Sequence, residues 1–171
     1  MVVVSFDPGL TGAFAVLDHN GLRAVCDVPT MKIPDIGPQA KVQKKIDARA
    51  LFKLLRQHVR ADDAVSSAIE SVSTMGGANN AVQTQGSLMR SLGAIETVLE
   101  CLGWSPQYIH PQNWKRFYGL IDSKLTTTQR KKKASDCARR LFPDCANISL
   151  AKHHNRAEAI LLGHFFMRIG A

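Results

Sequence analysis

The opening of the chain constrains its fold more than any other stretch. Residues 2–7 (VVVSFD) are β-branched and aromatic, the composition of a buried strand, and they end on Asp7 at the turn residues Pro8-Gly9 and Thr11-Gly12. A carboxylate delivered by a buried strand is costly unless it is paired or bound to metal. Residues 13–18 (AFAVLD) read as a second strand, Asn20-Gly21 is a strong hairpin signal, and residues 22–28 (LRAVCDV) return antiparallel. The chain thus opens with a three-strand meander whose first strand carries an acid at its end.

The rest of the chain alternates between the two periodicities. Residues 29–46 hold three prolines and little pattern, so they read as a loop. Asp47 is placed to cap a helix from Ala48 to about Val59, with Leu51, Leu54 and Leu55 on one face. A fourth strand covers 64–70 (AVSSAIE), a loop 71–80, and a long helix about 81–102 that Gly103 stops. A short strand at 104–110, a helical turn from Pro111 to about Phe117, a basic helix over 127–142 stopped by Pro143, and a helix from about His154 to Arg168 complete the order. This β-β-β-α-β-α-β-α-α order predicts an α/β protein: a five-stranded mixed sheet with helices on both faces. With 171 residues and no repeat or linker, the reading is one domain over 1–171.

Charge narrows the partners. The net charge is +8, and the basic residues are clustered. Eleven Lys/Arg lie between Trp114 and Arg156 against three acids (Asp122, Asp136, Asp144), and seven lie from Lys41 to Arg60 against Asp47 alone. One such run is often only a solvated helix face; two in a basic chain point toward nucleic acid. No apolar run approaches the ~20 residues of a membrane span. The N-terminus lacks the basic region of a signal peptide, so the chain reads as soluble and cytoplasmic, with no membrane partner. Cys26, Cys101, Cys137 and Cys145 have no zinc-type spacing and read as reduced thiols.

Two further acids share the setting of Asp7. Glu70 ends the fourth strand after an apolar run, and if the two strands are neighbours both carboxylates emerge at one edge. Glu158 sits in a helix among Ala157, Ala159, Ile160 and Leu161, with His154 at i−4 on the same face. Taken singly, each acid reads equally as a cap or a surface salt bridge. Together they can converge on divalent cations: magnesium takes hard oxygen ligands, and two ions ~3.5–4 Å apart stabilise the attacking and leaving oxygens of phosphodiester cleavage.

These segments resemble RuvC-type Holliday junction resolvases of the RNase H-like superfamily. VVVSFDPGLTGAFAVLD is similar to that family's first motif and AIESVSTMGG to its second; QGSLMRSLGAIETVLECLGWSPQYIHPQNWK is similar to the long helix, strand and P-x-x-W-K segment that follow, and HHNRAEAILLG to the closing helix. The resemblance implies an RNase H-like fold, a homodimer, two Mg2+ per site with Mn2+ as a substitute, and paired nicks across a four-way DNA junction. It implies that Asp7 bridges both ions, that Glu70 holds one, and that Glu158 and His154 hold the other and help activate water. The ends left would be a 5′-phosphate and a 3′-hydroxyl. One position departs from the pattern: many members close with two aspartates three residues apart, whereas Asn155 stands three before Glu158. Either His154 takes the role, which the i,i+4 spacing favours, or His153 does, or the site is impaired.

Lys115, Lys124, Arg130, Lys131, Lys132, Lys133, Arg139 and Arg140 are the expected phosphate contacts. Trp114 reads as a core residue or a base-stacking one. Ser73, Thr74, Met75 and Gly76 follow Glu70 in a loop over the site, and the resemblance makes Met75 a wedge at the junction centre. Asn79 and Asn80 would contact phosphates or cap the next helix. The helix 81–102 is the expected dimer seam, with Gly86 and Gly93 permitting close approach and Leu88, Leu92 and Leu99 supplying apolar contact. Competing readings are a branched-DNA-binding protein with an impaired site and an RNase H-like nuclease for flaps or forks. A third is a sugar-kinase or actin-like ATPase, whose first phosphate loop DPGLTG also resembles.

Overall fold

The computed structural model describes residues 1–33, 43–72 and 82–170. In chain order its elements are β1 (Val2–Asp7), β2 (Ala13–Asp18), β3 (Gly21–Asp27), β4 (Thr30–Ile33), β5 (Gln43–Ile46), α1 (Ala48–His58), β6 (Val65–Glu70), α2 (Val82–Cys101), β7 (Pro106–Ile109), α3 (Pro111–Phe117), α4 (Thr127–Leu141) and α5 (His154–Ile169). Short 3-10 turns at Ala146–Ile148 and Ala151–His153 lead into α5. The expected five-stranded mixed sheet is present in the order β3-β2-β1-β6-β7. The β1–β2 and β2–β3 pairs are antiparallel, and the β1–β6 and β6–β7 pairs are parallel.

Side-chain alternation along β1 separates two cores. Val2, Val4 and Phe6 pack with Leu51 and Leu55 of α1 and with Leu92, Ile95 and Leu99 of α2. Val3 packs on the other face, with Ala157 and Ile160 of α5 and Ala134 and Ala138 of α4. Ser5 faces α5 too, its Oγ donating to Ala159 O at 2.7 Å. In β6, Ile69 belongs to the α1/α2 core and Ala68 to the α5 core. By the same two-residue period Asp7 and Glu70 leave the sheet on the α5 side. Phe6 pairs with Ile69 in the parallel ladder, so the two acids are the next residues along neighbouring strands.

Local chemistry sets the helix starts. Asp47 Oδ1 accepts from Ala50 N at 2.9 Å to cap α1. Thr126 and Gln129 form a reciprocal capping box at α4, and Pro111 occupies the first turn of α3. The turn after β1 depends on Gly12, where a Cβ would come within 2.2 Å of Asp7 O. α5 lies on the sheet through Gly163, where a Cβ would stand 2.5 Å from both Leu17 Cδ1 and Ser5 Oγ.

Three sequence expectations change. The reading of 29–46 as a loop gives way to an antiparallel ribbon, β4 with β5, in which Ile46 is the buried anchor. The mostly exposed side chains of Gln43, Lys44 and Lys45 leave no apolar alternation to read. The β2–β3 connection consists of His19 and Asn20, with Gly21 already paired to Asp18 at a φ of +120°. The expected apolar dimer seam on α2 loses Leu92 and Leu99, which are buried in the chain's own core. Gly86 and Met89 lie exposed on its outer surface.

The fit at Gly163 generates a stability test. Gly163→Ala forces a methyl into Ser5 and Leu17, and such overpacking costs about 1–3 kcal/mol. Thermal unfolding of the variant is expected several degrees below wild type; an unchanged midpoint would show that α5 does not pack this closely.

Candidate active site

Asp7 and Glu70 come from the ends of the central parallel strands, and Glu158 reaches them from the first turn and a half of α5. Glu70 and Glu158 are only 16% and 15% exposed at the side chain. Lys115 of α3 stands between them, Nζ at 3.4 Å from Glu158 Oε2 and 3.9 Å from Glu70 Oε1. Trp114, fully buried beside it, donates from Nε1 to Glu70 Oε2 at 2.8 Å. Trp114 is therefore a core residue that also orients a site carboxylate.

The electrostatics show that the three acids form one cluster. Burial lifts the Asp7 carboxyl well above the usual carboxylate range, and the charges of Glu70 and Glu158 lift it further, while Lys115 and Lys131 pull it back. Glu70 is also raised, first by burial and then by Glu158, against the opposing pull of Lys115 and the Trp114 hydrogen bond. A set of oxygen donors in mutual repulsion fits a hard divalent cation. Among the described residues, however, no three His, Cys, Asp or Glu side chains already stand at metal-ligand spacing. The Lys115 ammonium holds two of the acids instead.

The structure places the two histidines differently. His154, at the start of α5, lies 3.0 Å from Lys131 Nζ through its Nε2. Lysine has only donors, so Nε2 accepts, and its lone pair points at a cation whose charge also bears on Asp7. His153 turns elsewhere: its Nδ1 accepts from Leu150 N at 3.4 Å. Burial and the Arg156 and Lys152 charges lower its pKa, and Asp27 is the acid that faces it. Asn155 donates from Nδ2 to Thr11 O and Thr11 Oγ1, tying α5 to the turn that follows Asp7. An aspartate there would set an acceptor against the Thr11 carbonyl, so the Asn155 amide nitrogen holds the loop in place.

The basic residues divide in the same way. Arg130 and Lys131 line a cleft beside Glu158, together with Lys115. Lys124, Lys132 and Arg140 are exposed and Lys133 is half-buried. Arg139 is engaged internally, through Ile148 O at 2.9 Å, Ser149 O at 3.2 Å and Asp136 Oδ1 at 2.9 Å, where it anchors the segment before α5. The readings on Ser73, Thr74, Met75, Gly76, Asn79 and Asn80 lie outside the described residues. Sequence reasoning missed the Lys115 bridge, the Trp114–Glu70 bond and the Thr11–Asn155 tie. The only available signal was the adjacency of Trp114 and Lys115 in a short helix.

No protein-family model matches the sequence, and no curated protein matches it. Solved structures do match it over nearly its whole length. RuvC of Thermus thermophilus in complex with Holliday junction substrate superposes with a TM-score of 0.58 at 16% identity, covering 99% of this chain and 96% of that one. A second Thermus thermophilus RuvC structure gives 0.56 at 16% identity, with 99% and 97% covered. The Fowlpox virus resolvase in complex with substrate Holliday junction DNA gives 0.53 at 13% identity, with 99% and 98% covered. The chain therefore has the RNase H-like α/β fold. Within that class its architecture is the one seen in RuvC and the poxvirus resolvase.

The raised carboxyls make the metal-free protein sensitive to pH. The folded state holds protons on Asp7 and Glu70 more tightly than the unfolded chain does, because their folded pKa values lie above the unfolded ones. The stability this gives is full below the ordinary carboxylate range of about 4 and is lost as pH rises through the folded values. Asp7→Asn removes one of these titrations. In chelator near neutral pH the variant is expected to melt above wild type, the gain shrinking as pH falls through the raised folded values and gone below about 4. A variant less stable than wild type at neutral pH would contradict the clustering of these acids.

Proposed function

We propose that the protein is a metal-dependent endodeoxyribonuclease that resolves four-way DNA junctions by hydrolysing phosphodiester bonds. The observation that carries this reading is the gathering of Asp7, Glu70 and Glu158, from two strands and a helix, at one end of the sheet around Lys115. The fold likeness supports it, since two of the similar structures are resolvases bound to Holliday junction DNA.

Asp7, Glu70 and Glu158, with His154, would hold Mg2+, with Mn2+ as a substitute. Bound there, a pair of such ions supplies charge stabilisation to the attacking and leaving oxygens and lowers the pKa of a water. The chain's own residues do the rest. Trp114 fixes the orientation of Glu70. Lys115 neutralises the acids in the metal-free state, and once they are otherwise neutralised its ammonium is free to donate to a nonbridging phosphate oxygen. Lys131 has the same choice between His154 and DNA. The exposed Lys124, Lys132 and Arg140 hold phosphates further along the strands by charge alone. Water on the far side of phosphorus displaces the 3′ oxygen, leaving a 5′-phosphate and a 3′-hydroxyl.

One acid cluster makes one cut, and resolving a junction requires two. We therefore assign the active form as a C2 homodimer, with the outer surface of α2 around Gly86 and Met89 as its seam. A second reading, a branched-DNA-binding protein that does not cut, draws on the Lys115 ammonium already standing between Glu70 and Glu158.

One comparison decides between them: Mg2+-dependent cleavage of four-way, flap and linear DNA by wild type, Asp7→Asn and Glu70→Gln. Wild type is expected to sediment as a dimer and to nick four-way junctions in symmetric pairs. Each variant is expected to lose about 10³-fold or more in rate while still binding the junction, because several kcal/mol of transition-state stabilisation go with the acid. Binding without cutting in either metal would establish the second reading. Cutting confined to flaps would replace the resolvase assignment.

A further inference from the structure

The basic residues between β4 and the end of α1 have no part in the site described above, and the fold sorts them onto one surface. Lys32 of β4 and Lys44 and Lys45 of β5 are exposed, and Lys32 stands directly opposite Lys44 in the ribbon. Like charges so placed destabilise a strand pair, so local folding gives no reason for them. Arg49, Lys53 and Arg56 are exposed at i, i+4 and i+7 of α1, on one face of the helix, while Leu51 and Leu55 are buried on the other.

The acids of this surface are otherwise engaged. Asp47 caps α1 through Ala50 N at 2.9 Å, and Asp63 accepts from Arg23 Nη1 at 2.6 Å and from Arg60 N at 2.8 Å. Among the described residues, no carboxylate pairs with any of the six cations. The surface is also held in place. Arg90 of α2 donates from Nη2 to Lys44 O at 3.4 Å, and Ile46 anchors the ribbon in the core. Six cations gathered without counter-charge on a fixed scaffold fit a polyanion.

Position identifies the polyanion. The ribbon and α1 start at the acid end of the sheet: Val28 N donates to Gly12 O at 2.9 Å, in the turn after Asp7, and Asp47 N donates to Pro29 O at 2.9 Å. They cover the α1/α2 core, whereas Lys132 and Arg140 belong to α4, which packs with α5 on the opposite face of the sheet. From Arg49 to Arg56 α1 rises about 10 Å, at about 1.5 Å per residue, the length of about three phosphates of one DNA strand. A straight duplex laid along α4 leaves this surface empty, because the sheet stands between them. Two arms that diverge from a branch point at the acids reach both faces.

We propose that the β4–β5 ribbon and α1 hold a second duplex arm of the branched DNA, and that filling both cationic faces at once is how the chain tells a junction from linear duplex. The proposal rests on the junction reading above and assigns a surface which that reading leaves unused. The contacts are to phosphates, so they carry no base preference.

The test compares wild type with the double variant Lys44→Gln, Lys53→Gln, one position on the ribbon and one on α1. Binding of a labelled four-way junction and of a linear duplex is followed by fluorescence anisotropy in chelator over a salt series. Both lysines are exposed, so the variant is expected to melt with wild type. Its affinity for the junction is expected to fall about tenfold or more near 0.1 M salt, and the slope of log affinity against log salt to shrink by about two, one for each lost phosphate contact. Its affinity for linear duplex, which the α4 face still holds, is expected to fall no more than about twofold. An unchanged junction affinity and slope, or equal losses on both DNAs, would overturn the proposal. So would a change in sedimentation without loss of DNA affinity, which would reassign the ribbon to the interface between copies. Cleavage plays no part, so a protein that binds junctions and never cuts refutes the nuclease reading and leaves this one standing or falling on its own numbers. A wild type that binds both DNAs alike refutes the junction reading, and this proposal with it.

Discussion

The parallel pairing of β1 with β6 is the constraint on which the rest of the molecule depends. It sets Phe6 against Ile69 and so brings Asp7 and Glu70 out side by side at the strand ends. Strand periodicity then fixes the face: both acids leave on the side where Val3, Ser5 and Ala68 pack. A one-residue slip in either strand would turn one carboxylate into the α1/α2 core. α5 must lie on that same face for Glu158 to reach the pair, and the absence of a side chain at Gly163 lets it lie close enough for Ser5 to bond Ala159 O. The Asn155–Thr11 tie then joins the start of α5 to the turn after Asp7.

This geometry carries an electrostatic cost that the chain offsets with its own cations. Asp7 and Glu70 are both raised by burial and by the acids around them. Lys115 and Lys131 lower that cost without removing it. The site is thus built for charge it does not itself contain in full. The same two lysines border the cleft under α4, so the region that compensates the acids is also the region that would meet a phosphate. Among the described residues, no helix is long and apolar enough to cross a membrane.

Much of the fold was legible because its signals are local. VVVSFD, AFAVLD and AVSSAIE are strands by composition, and Asp47 and Pro143 punctuate their helices as capping rules require. The acids were legible for the same reason, each being a charge in an apolar run. The β4–β5 ribbon was not, because its pairing is held by backbone bonds and a single buried anchor, Ile46. Leu92 and Leu99 were misread as seam residues of α2 because an apolar stripe does not say which partner it faces, and both pack in the core against the sheet. Lys115 between the acids and Trp114 on Glu70 are long-range contacts that no spacing along the chain encodes.

Direct titration of Mn2+ into the protein, in buffers of different ionisation enthalpy at mildly acidic pH, reads the acid cluster most immediately. Metal binding to carboxylates whose protons are held tightly must release those protons. The account requires saturable binding with net proton release in wild type and the loss of both in Glu158→Gln, which changes one oxygen to an amide and leaves the shape of the side chain. Binding that survives Glu158→Gln undiminished, or that releases no protons, would show that Asp7, Glu70 and Glu158 do not act as one site.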